Sequence, residues 1–444
     1  MNGGKNVLQN SVQSPIKVQI ISREIPFEGA FGNATYILDL MSYLQKAGCE
    51  INFLVLNSSP NGNVPWCIIP PTLASIAKVS ARNNIKIGHC LLRFNSLSNW
   101  LIEPLRLIYD KLPEKLKNIY RSARDQQQLT PMHRYSYEDW DFLATSEEIA
   151  FANSHFIKFQ PDVVINNYAW LSGIFDVIST NKSVLKVILT HDLLHRRFSE
   201  LKKIGVKADI SEWNYEKESI LLQKAHVLLA IQEEEAEILQ EMASSSKVIY
   251  TPMSVVCHSH NTEQIRGRCL FVGSSAPHNA YSLQWFLDNV WSKILELSPH
   301  SSLHICGTVC QLIQKTFPNV RLLGRVNDLN HEYSAAEVCL IPLLAGSGLK
   351  IKLVEAMSYG RACVSTSVGV QGLRDIVGTT TLVADTAEDF AMAVHTVLTN
   401  PDKRQWMEEQ AYKYVREKLS PEAAYQPFVD YIHQHLQQSQ NNSS

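Results

Sequence analysis

A chain of 444 residues is too long for one ordinary core and suits two α/β domains of roughly 200 residues each. Its 45% hydrophobic and 19% charged residues are those of a globular protein. Its 41 basic and 43 acidic side chains leave a formal net charge of −2, so no overall attraction to nucleic acid is expected. Apolar runs such as Val227 to Ile231 and Val338 to Ala345 have the length of buried strands, far short of the roughly 20 residues that span a bilayer. No secretory leader is visible before the first strand-like run at Ile16. The nine cysteines are an odd number and fall mostly inside strand-like runs, as with Cys269, Cys339 and Cys363. They read as reduced, packed thiols in a cytoplasm. Cys306 and Cys310 have no second pair beside them, so no metal site is expected.

Taken in order, short β-branched runs alternate with longer amphipathic stretches. Strands are expected at Lys17 to Ile21, Ile51 to Leu56, Asp162 to Asn166, Leu185 to Thr190, Val227 to Ile231 and Val248 to Tyr250. Between the first two, a helix from Asn33 to Ala47 stops at Gly48. Another, Thr145 to Gln160, opens with the capping-box spacing of Thr145 and Glu148. Residues 72 to 131 break the alternation and read as a helical insertion. From Arg93 to Arg124, seven basic residues stand against three acids, a surplus of 7 − 3 = +4. This stretch is either a solvated insertion or a patch that docks on anionic lipid or a lipid-linked acceptor.

The alternation restarts with a strand at Cys269 to Val272 and a helix near Ser282 to Leu297. Strands follow at Leu303 to Cys306, Val320 to Leu323, Val338 to Pro342, Ala362 to Thr366 and Thr381 to Ala384. Two such series predict two Rossmann-like, doubly wound parallel sheets, parted in the polar stretch Thr251 to Arg268. The expected division is 1–255, 256–400, a helical segment 401–437 folding back toward the first domain, and a disordered tail 438–444.

Ligands of open parallel sheets bind at the carboxyl ends of the strands. There the richest stretch is VCLIPLLAGSGLKIKLVEAMSYGRACVSTSVGVQG, Val338 to Gly372. A strand ends at Pro342, and a small-residue turn through Gly346, Ser347 and Gly348 opens a helix that Gly360 stops. Free N–H groups and the positive end of the helix dipole suit a phosphate there. Lys350 in the first turn adds charge, and Glu355 two turns on can accept hydrogen bonds from a ribose. Lys352, two residues from Lys350, falls on a different helical face and reads as surface.

The stretch resembles the donor-binding segment of the GT-B-fold glycosyltransferases of family 4, the glycosyl transferases group 1. FVGSSAPHN at Phe271 to Asn279 looks like the first strand and loop of their C-terminal domain. PNVRLLGRVNDL at Pro318 to Leu329 resembles their base-binding strand and loop. VILTHDLLHRR at Val187 to Arg197 is similar to their active-site loop. FEGAFGNATYILDLMSYLQKAGCEI at Phe27 to Ile51 resembles their opening glycine-rich loop and helix.

The resemblance implies two facing Rossmann-like domains and transfer of a sugar from a nucleotide-diphosphate sugar, UDP- or GDP-linked. It further implies retention of anomeric configuration and no required metal or other cofactor. Gly273 and Ser274 would border the cleft, and Gly307 would let backbone approach the nucleotide. Arg325, Val326 and Asp328 would flank the base. Gly348, Leu349 and Lys350 would hold the diphosphate, Glu355 the ribose, and Gly29 and Gly32 would shape the loop beneath the phosphates. His191, with Asp192 beside it, would face the transferred sugar. Residue by residue, His191 also reads as a satisfied strand-end histidine, Asp192 as a cap, and Glu233 to Glu235 as a solvated helix start.

Two positions depart from the pattern. Ser347 stands where the first Glu of the family's E-x7-E motif belongs. Between Gly273 and Tyr281 the usual Arg and Lys are missing, with only His278 as a possible cation. The implied partners are a nucleotide sugar and a glycan, lipid-linked or small-molecule acceptor, with peripheral contact at the inner face of an anionic membrane. The alternatives are a sugar-nucleotide epimerase of the same fold and a nucleotide-sugar-binding pseudoenzyme. Hydride transfer is disfavoured, because no strand runs into a G-x-G-x-x-G turn.

Overall fold

The computed structural model describes residues 14–27, 32–56, 66–93, 142–178, 183–203, 213–258, 264–326, 328–345 and 349–441. The first half carries β1 (Lys17–Ser22), α1 (Gly32–Lys46), β2 (Glu50–Val55), β3 (Trp66–Ile68), α2 (Pro71–Ile76), β4 (Lys78–Ala81), β5 (Asn84–Ile87), β6 (Cys90–Arg93), α3 (Ser146–Phe159) and β7 (Val163–Asn167). It continues with β8 (Leu185–Leu189), α4 (Leu194–Lys203), α5 (Tyr215–Leu222), β9 (Val227–Ala230), α6 (Glu233–Met242) and β10 (Lys247–Tyr250). The second half carries β11 (Arg268–Val272), α7 (Pro277–Asn289), α8 (Trp291–Leu297), β12 (Ser302–Cys306), β13 (Val320–Gly324), α9 (Asn330–Ala335), β14 (Val338–Ile341) and α10 (Ile351–Ser358). It ends with β15 (Cys363–Ser365), β16 (Thr381–Val383), α11 (Ala387–Thr399), α12 (Pro401–Tyr414) and α13 (Pro421–Asn441).

The first sheet has seven strands in the order β10-β9-β8-β7-β1-β2-β4, and the second has six in the order β13-β12-β11-β14-β15-β16. Register is parallel between β1 and both β2 and β7, and between β11 and both β12 and β14. In each sheet the chain first builds outward on one side of its opening strand and then returns to the other side. The crossover points lie at β1/β7 and at β11/β14. By contacts, one compact unit comprises the described residues of 1–136 and 143–187 with the chain end from Ile432, and the other residues 188–431.

Apolar runs become strands covered on both faces. Cys269 and Phe271 lie in one buried cluster of the second sheet with Phe286, Trp291 and Phe390, while Leu270 between them lies in another with Tyr333, Leu353 and Met357. At α1, Gly48 takes φ +90 and ends the helix. The capping box of α3 forms: Glu148 N donates to Thr145 Oγ1 at 3.2 Å, and Thr145 N to Glu148 Oε2 at 2.9 Å. The same buried Glu148 carboxylate takes two hydrogen bonds of 2.9 Å from Arg23, tying α3 to the end of β1.

Three expectations are corrected. Residues 78–93 form strands, with only α2 helical before them. Their four-residue runs are too short for helices and are punctuated by Asn83 and Gly88 at positive φ, 58° and 60°. The expected insertion beyond Arg93, including the basic stretch to Arg124, lies outside the described residues. Next, Pro401 to Leu419 pack on the second sheet: Met407, Ala411, Val415 and Leu419, four apart in sequence, put one buried stripe into its two clusters, and only the chain end from Ile432 groups with the first unit. Finally, Gln438 to Asn441 extend α13 as helix. No helix of the described residues is long and apolar enough to cross a membrane.

Candidate functional site

The β11/β14 crossover of the second sheet gathers the side chains singled out from the sequence. Gly273 and Ser274 follow β11, Gly307 follows β12, and the segment leading into α10 follows β14. Gly346, Ser347 and Gly348 lie outside the described residues, as does Gly29; Gly32 opens α1. Gly307 has φ +104, and a Cβ there would lie 2.1 Å from the Gly273 carbonyl oxygen. Its glycine is therefore required by backbone-to-backbone packing between the two loops.

The helix starts later than the sequence reading, which put Lys350 inside its first turn. Lys350 is its N-cap, at φ −85 and ψ 89, and α10 begins at Ile351. Lys350 is buried, and its Nζ donates to Gln371 Oε1 at 3.3 Å. Because Lys350 precedes the helix, helical spacing does not separate it from Lys352, and the surface reading of Lys352 fails. The Lys352 ammonium lies 5.3 Å from the centre of the Phe271 ring and donates to Asn279 Oδ1. Asn279 in turn donates to Ser274 O at 3.2 Å and to Ser274 Oγ at 3.0 Å. His278 belongs to the same cluster. Burial, then Lys352 and Lys350, hold its imidazole down at about 4. Burial and then Lys350 push Lys352 down to about 7. This corner thus concentrates two lysines that repel one another, beside an imidazole that burial and their charge keep neutral.

Around Glu355 the environment is aromatic. Tyr333 OH donates to Glu355 Oε2 at 2.9 Å, and burial raises that carboxyl while the Tyr333 bond opposes the shift. Tyr333 stacks on Tyr359 with ring centres 4.6 Å apart, and Tyr359 on His258 at 4.0 Å. Nothing in the sequence spacing announced this three-ring pile, since its members come from three separate segments. Arg325 and Asp328 are exposed, and Asp328 Oδ1 accepts Asn330 N at 2.9 Å at the start of α9. Val326 and Leu349 pack partly buried on the cluster that holds Tyr333 and Tyr359, so their side chains serve the core.

His191, two residues past the end of β8, takes φ +56, in the left-handed region that non-glycine residues seldom occupy. Burial, then Arg197, holds its imidazole down at about 3, so it is neutral at ordinary pH. Asp192 pairs with Arg197 Nη1 at 3.2 Å, and its carboxyl is raised first by burial. It does not cap α4: Glu218, from α5, accepts Leu194 N at 2.8 Å, His195 N at 2.9 Å and His195 Nδ1 at 2.6 Å. Glu218 was invisible in the sequence, lying 23 residues from the histidine it holds. Of Glu233 to Glu235, the first two are exposed as expected, but burial and then Asp192 push Glu235 up to about 8.

Residues 266–400 match the family model described as glycosyl transferases group 1. Over that segment the chain is similar to the group 1 glycosyltransferases. The segment contains Gly273, Lys350, Lys352 and Glu355, and so the whole cationic corner. A Klebsiella pneumoniae protein described as an uncharacterized 44.6 kDa protein in the cps region is 24% identical over 248 residues. The match takes in 52% of this chain and 62% of that relative, less than two thirds of its length. Among solved structures, sucrose-phosphate synthase from Thermosynechococcus elongatus is similar with a TM-score of 0.63 at 15% identity, covering 96% of this chain and 100% of that one. The pneumococcal O-GlcNAc transferase GtfA in complex with UDP and GlcNAc is similar with a TM-score of 0.59 at 12% identity, covering 96% and 100%. These likenesses are of fold, and the architecture is GT-B.

Proposed function

We propose that the chain transfers a sugar, with retention of configuration and without a required metal, from a UDP- or GDP-linked donor to a glycan, lipid-linked or small-molecule hydroxyl. The observation that carries this reading is the pairing of the Lys350 and Lys352 ammoniums, with neutral His278 beside them, at the β11/β14 crossover. Buried like charges are costly unless an anion joins them. A diphosphate supplies that anion, and the charge building on the leaving β-phosphate strengthens the contact as the sugar bond breaks. Glu355, held by Tyr333, grips the ribose, and neutral His191 offers a hydrogen bond to the sugar rather than a charge. The test is mass spectrometry of products from a panel of UDP- and GDP-sugars with a membrane extract as acceptor, and nuclear magnetic resonance of the product's anomeric proton. Nucleotide-sugar binding without turnover, or an inverted product, would sink it.

For where this happens, we infer peripheral docking on the inner face of an anionic membrane. The antiparallel register β3-β6-β5 puts Trp66, Ile68, Ile85, Ile87, Cys90 and Leu92 on one face of a small sheet. Ile68, Ile85 and Ile87 are 65%, 57% and 62% exposed. Residues 66–93 carry Lys78, Arg82, Lys86 and Arg93 and no carboxylate, and the +4 stretch follows directly in sequence. Lys78 and Arg82 are paired with Glu50 and Glu147, so the charge that meets an anionic headgroup layer beside this apolar face falls to Lys86, Arg93 and the basic stretch. Co-sedimentation with phosphatidylglycerol vesicles should be strong at low salt and weak for Ile85→Asp/Ile87→Asp. Binding indifferent to the variant, to anionic lipid and to salt would refute it.

A further inference from the structure

The crossover of the first sheet is furnished differently. β1 ends at Ser22, whose Oγ accepts Asn167 Nδ2 at 3.0 Å from the end of β7 and Glu24 N at 3.2 Å. Tyr168, the next residue along, has φ 77 and ψ 154. That region of backbone space is essentially reserved for glycine, and side chains held there cluster at ligand sites. Its ring lies parallel on Trp170, centres 4.0 Å apart and planes 14° apart. Trp170 is buried and Tyr168 only half-buried, so the accessible ring of the pair is the tyrosine. Asn33, in the first turn of α1, donates to the Tyr168 hydroxyl at 3.3 Å.

Glu24 is tied to the same corner through its backbone, whose N–H donates to Ser22 Oγ. Among the described residues no cation or donor reaches its carboxylate, and burial alone lifts it to about 7. The neighbouring Arg23 gives it no charge, because that guanidinium is bound to Glu148 on both carboxylate oxygens. Among the described residues the corner therefore offers one aromatic ring, neutral amides and a carboxylate in want of donors, and no free ammonium or guanidinium to hold a phosphate. A pyranose ring suits it: its C–H face lies on an aromatic ring and its hydroxyls donate to carboxylate and amide oxygens.

We propose that this corner is a carbohydrate subsite for a pyranose of the acceptor, with Tyr168 as its platform and Glu24 as the group that receives an acceptor hydroxyl's hydrogen bond. The assignment rests on the glycosyl-transfer reading for the role of the sugar, while the binding itself is testable alone. Saturation-transfer nuclear magnetic resonance on the full chain, with methyl α-glucoside, methyl α-galactoside and methyl N-acetyl-α-glucosaminide as probes, reads it directly. At least one probe should receive saturation on its ring C–H protons, lost in Tyr168→Ala and weakened about tenfold in Kd by Glu24→Gln, the scale of one charge-assisted hydrogen bond. Binding of UDP or GDP, whichever the wild type takes up, should survive in both variants by calorimetry and, with circular dichroism, show that they are folded. Should Tyr168→Ala not fold, Glu24→Gln decides by itself. No saturation on any probe by the wild type, or equal saturation in wild type and folded variants, overturns the subsite. Sugar binding that follows these variants without any transfer from nucleotide sugars would retire the transfer reading and leave the subsite standing.

Discussion

The two parallel sheets share a topology and differ in the chemistry at their crossovers. At β11/β14 two lysines press on one another beside a histidine they help keep neutral. At β1/β7 there are amides, a tyrosine and an unneutralised carboxylate. Each doubly wound sheet opens a crevice at the carboxyl ends of its strands because the connections diverge there. The fold thus supplies the place twice, and the side chains choose an anion in one and a neutral polyol in the other.

Removing charge from the cationic corner is the strongest way to test that contrast. Lys350→Ala should lower kcat by about 10²-fold, the scale of losing one preorganised electrostatic donor. Steady-state kinetics, with circular dichroism to check folding, would show it. Turnover at the wild-type rate would move the catalytic charge to Lys352 or Arg325. A second effect should be smaller and fall on binding. Glu355→Ala should mainly raise the donor KM, by about tenfold, because a ribose contact is the same in ground and transition states. Glu355→Gln should be milder, since one acceptor oxygen for Tyr333 and ribose remains. A fall in kcat with KM unchanged would place Glu355 at the reacting atoms instead.

The sequence disclosed the architecture because long apolar runs and helix punctuation are local signals. The pair Thr145 and Glu148 spelled out a capping box that forms. It disclosed less of the sites, because they are assembled across distance. Lys352 was misread for a local reason: the later start of α10 leaves Lys350 outside the helix and removes the helical geometry that seemed to send Lys352 outward. Glu218 and the stack of His258, Tyr359 and Tyr333 carry no spacing signature at all, since tertiary folding alone brings them together. The strands at residues 78–93 were hidden in runs too short to show a period.

The smallest expected effect is also the most specific. Lys352 is held down to about 7 by burial and by Lys350, so in the free protein its ammonium is lost as pH rises through that value. An anionic donor binds the charged form, so its affinity should fall on the alkaline side. The profile of kcat/KM reports groups in the free enzyme and should therefore carry a falling limb near 7. Bound diphosphate favours the ammonium, so kcat itself should stay flatter over the same range and the loss should appear in KM. His278 cannot produce this limb, because at about 4 it is already neutral throughout. The change should be a few-fold between about pH 6 and about pH 8, since Lys350 still holds the phosphates. Lys352→Arg keeps a charge at any working pH and should abolish the limb; Lys352→Met should fix KM at the alkaline value. If the limb persisted unchanged in both variants, another group would be titrating. Glu24, lifted to about 7 at the other crossover, has the wrong sign for it: its ionisation as pH rises should favour the acceptor. The two corners can thus be told apart by varying donor and acceptor concentrations separately in one pH series.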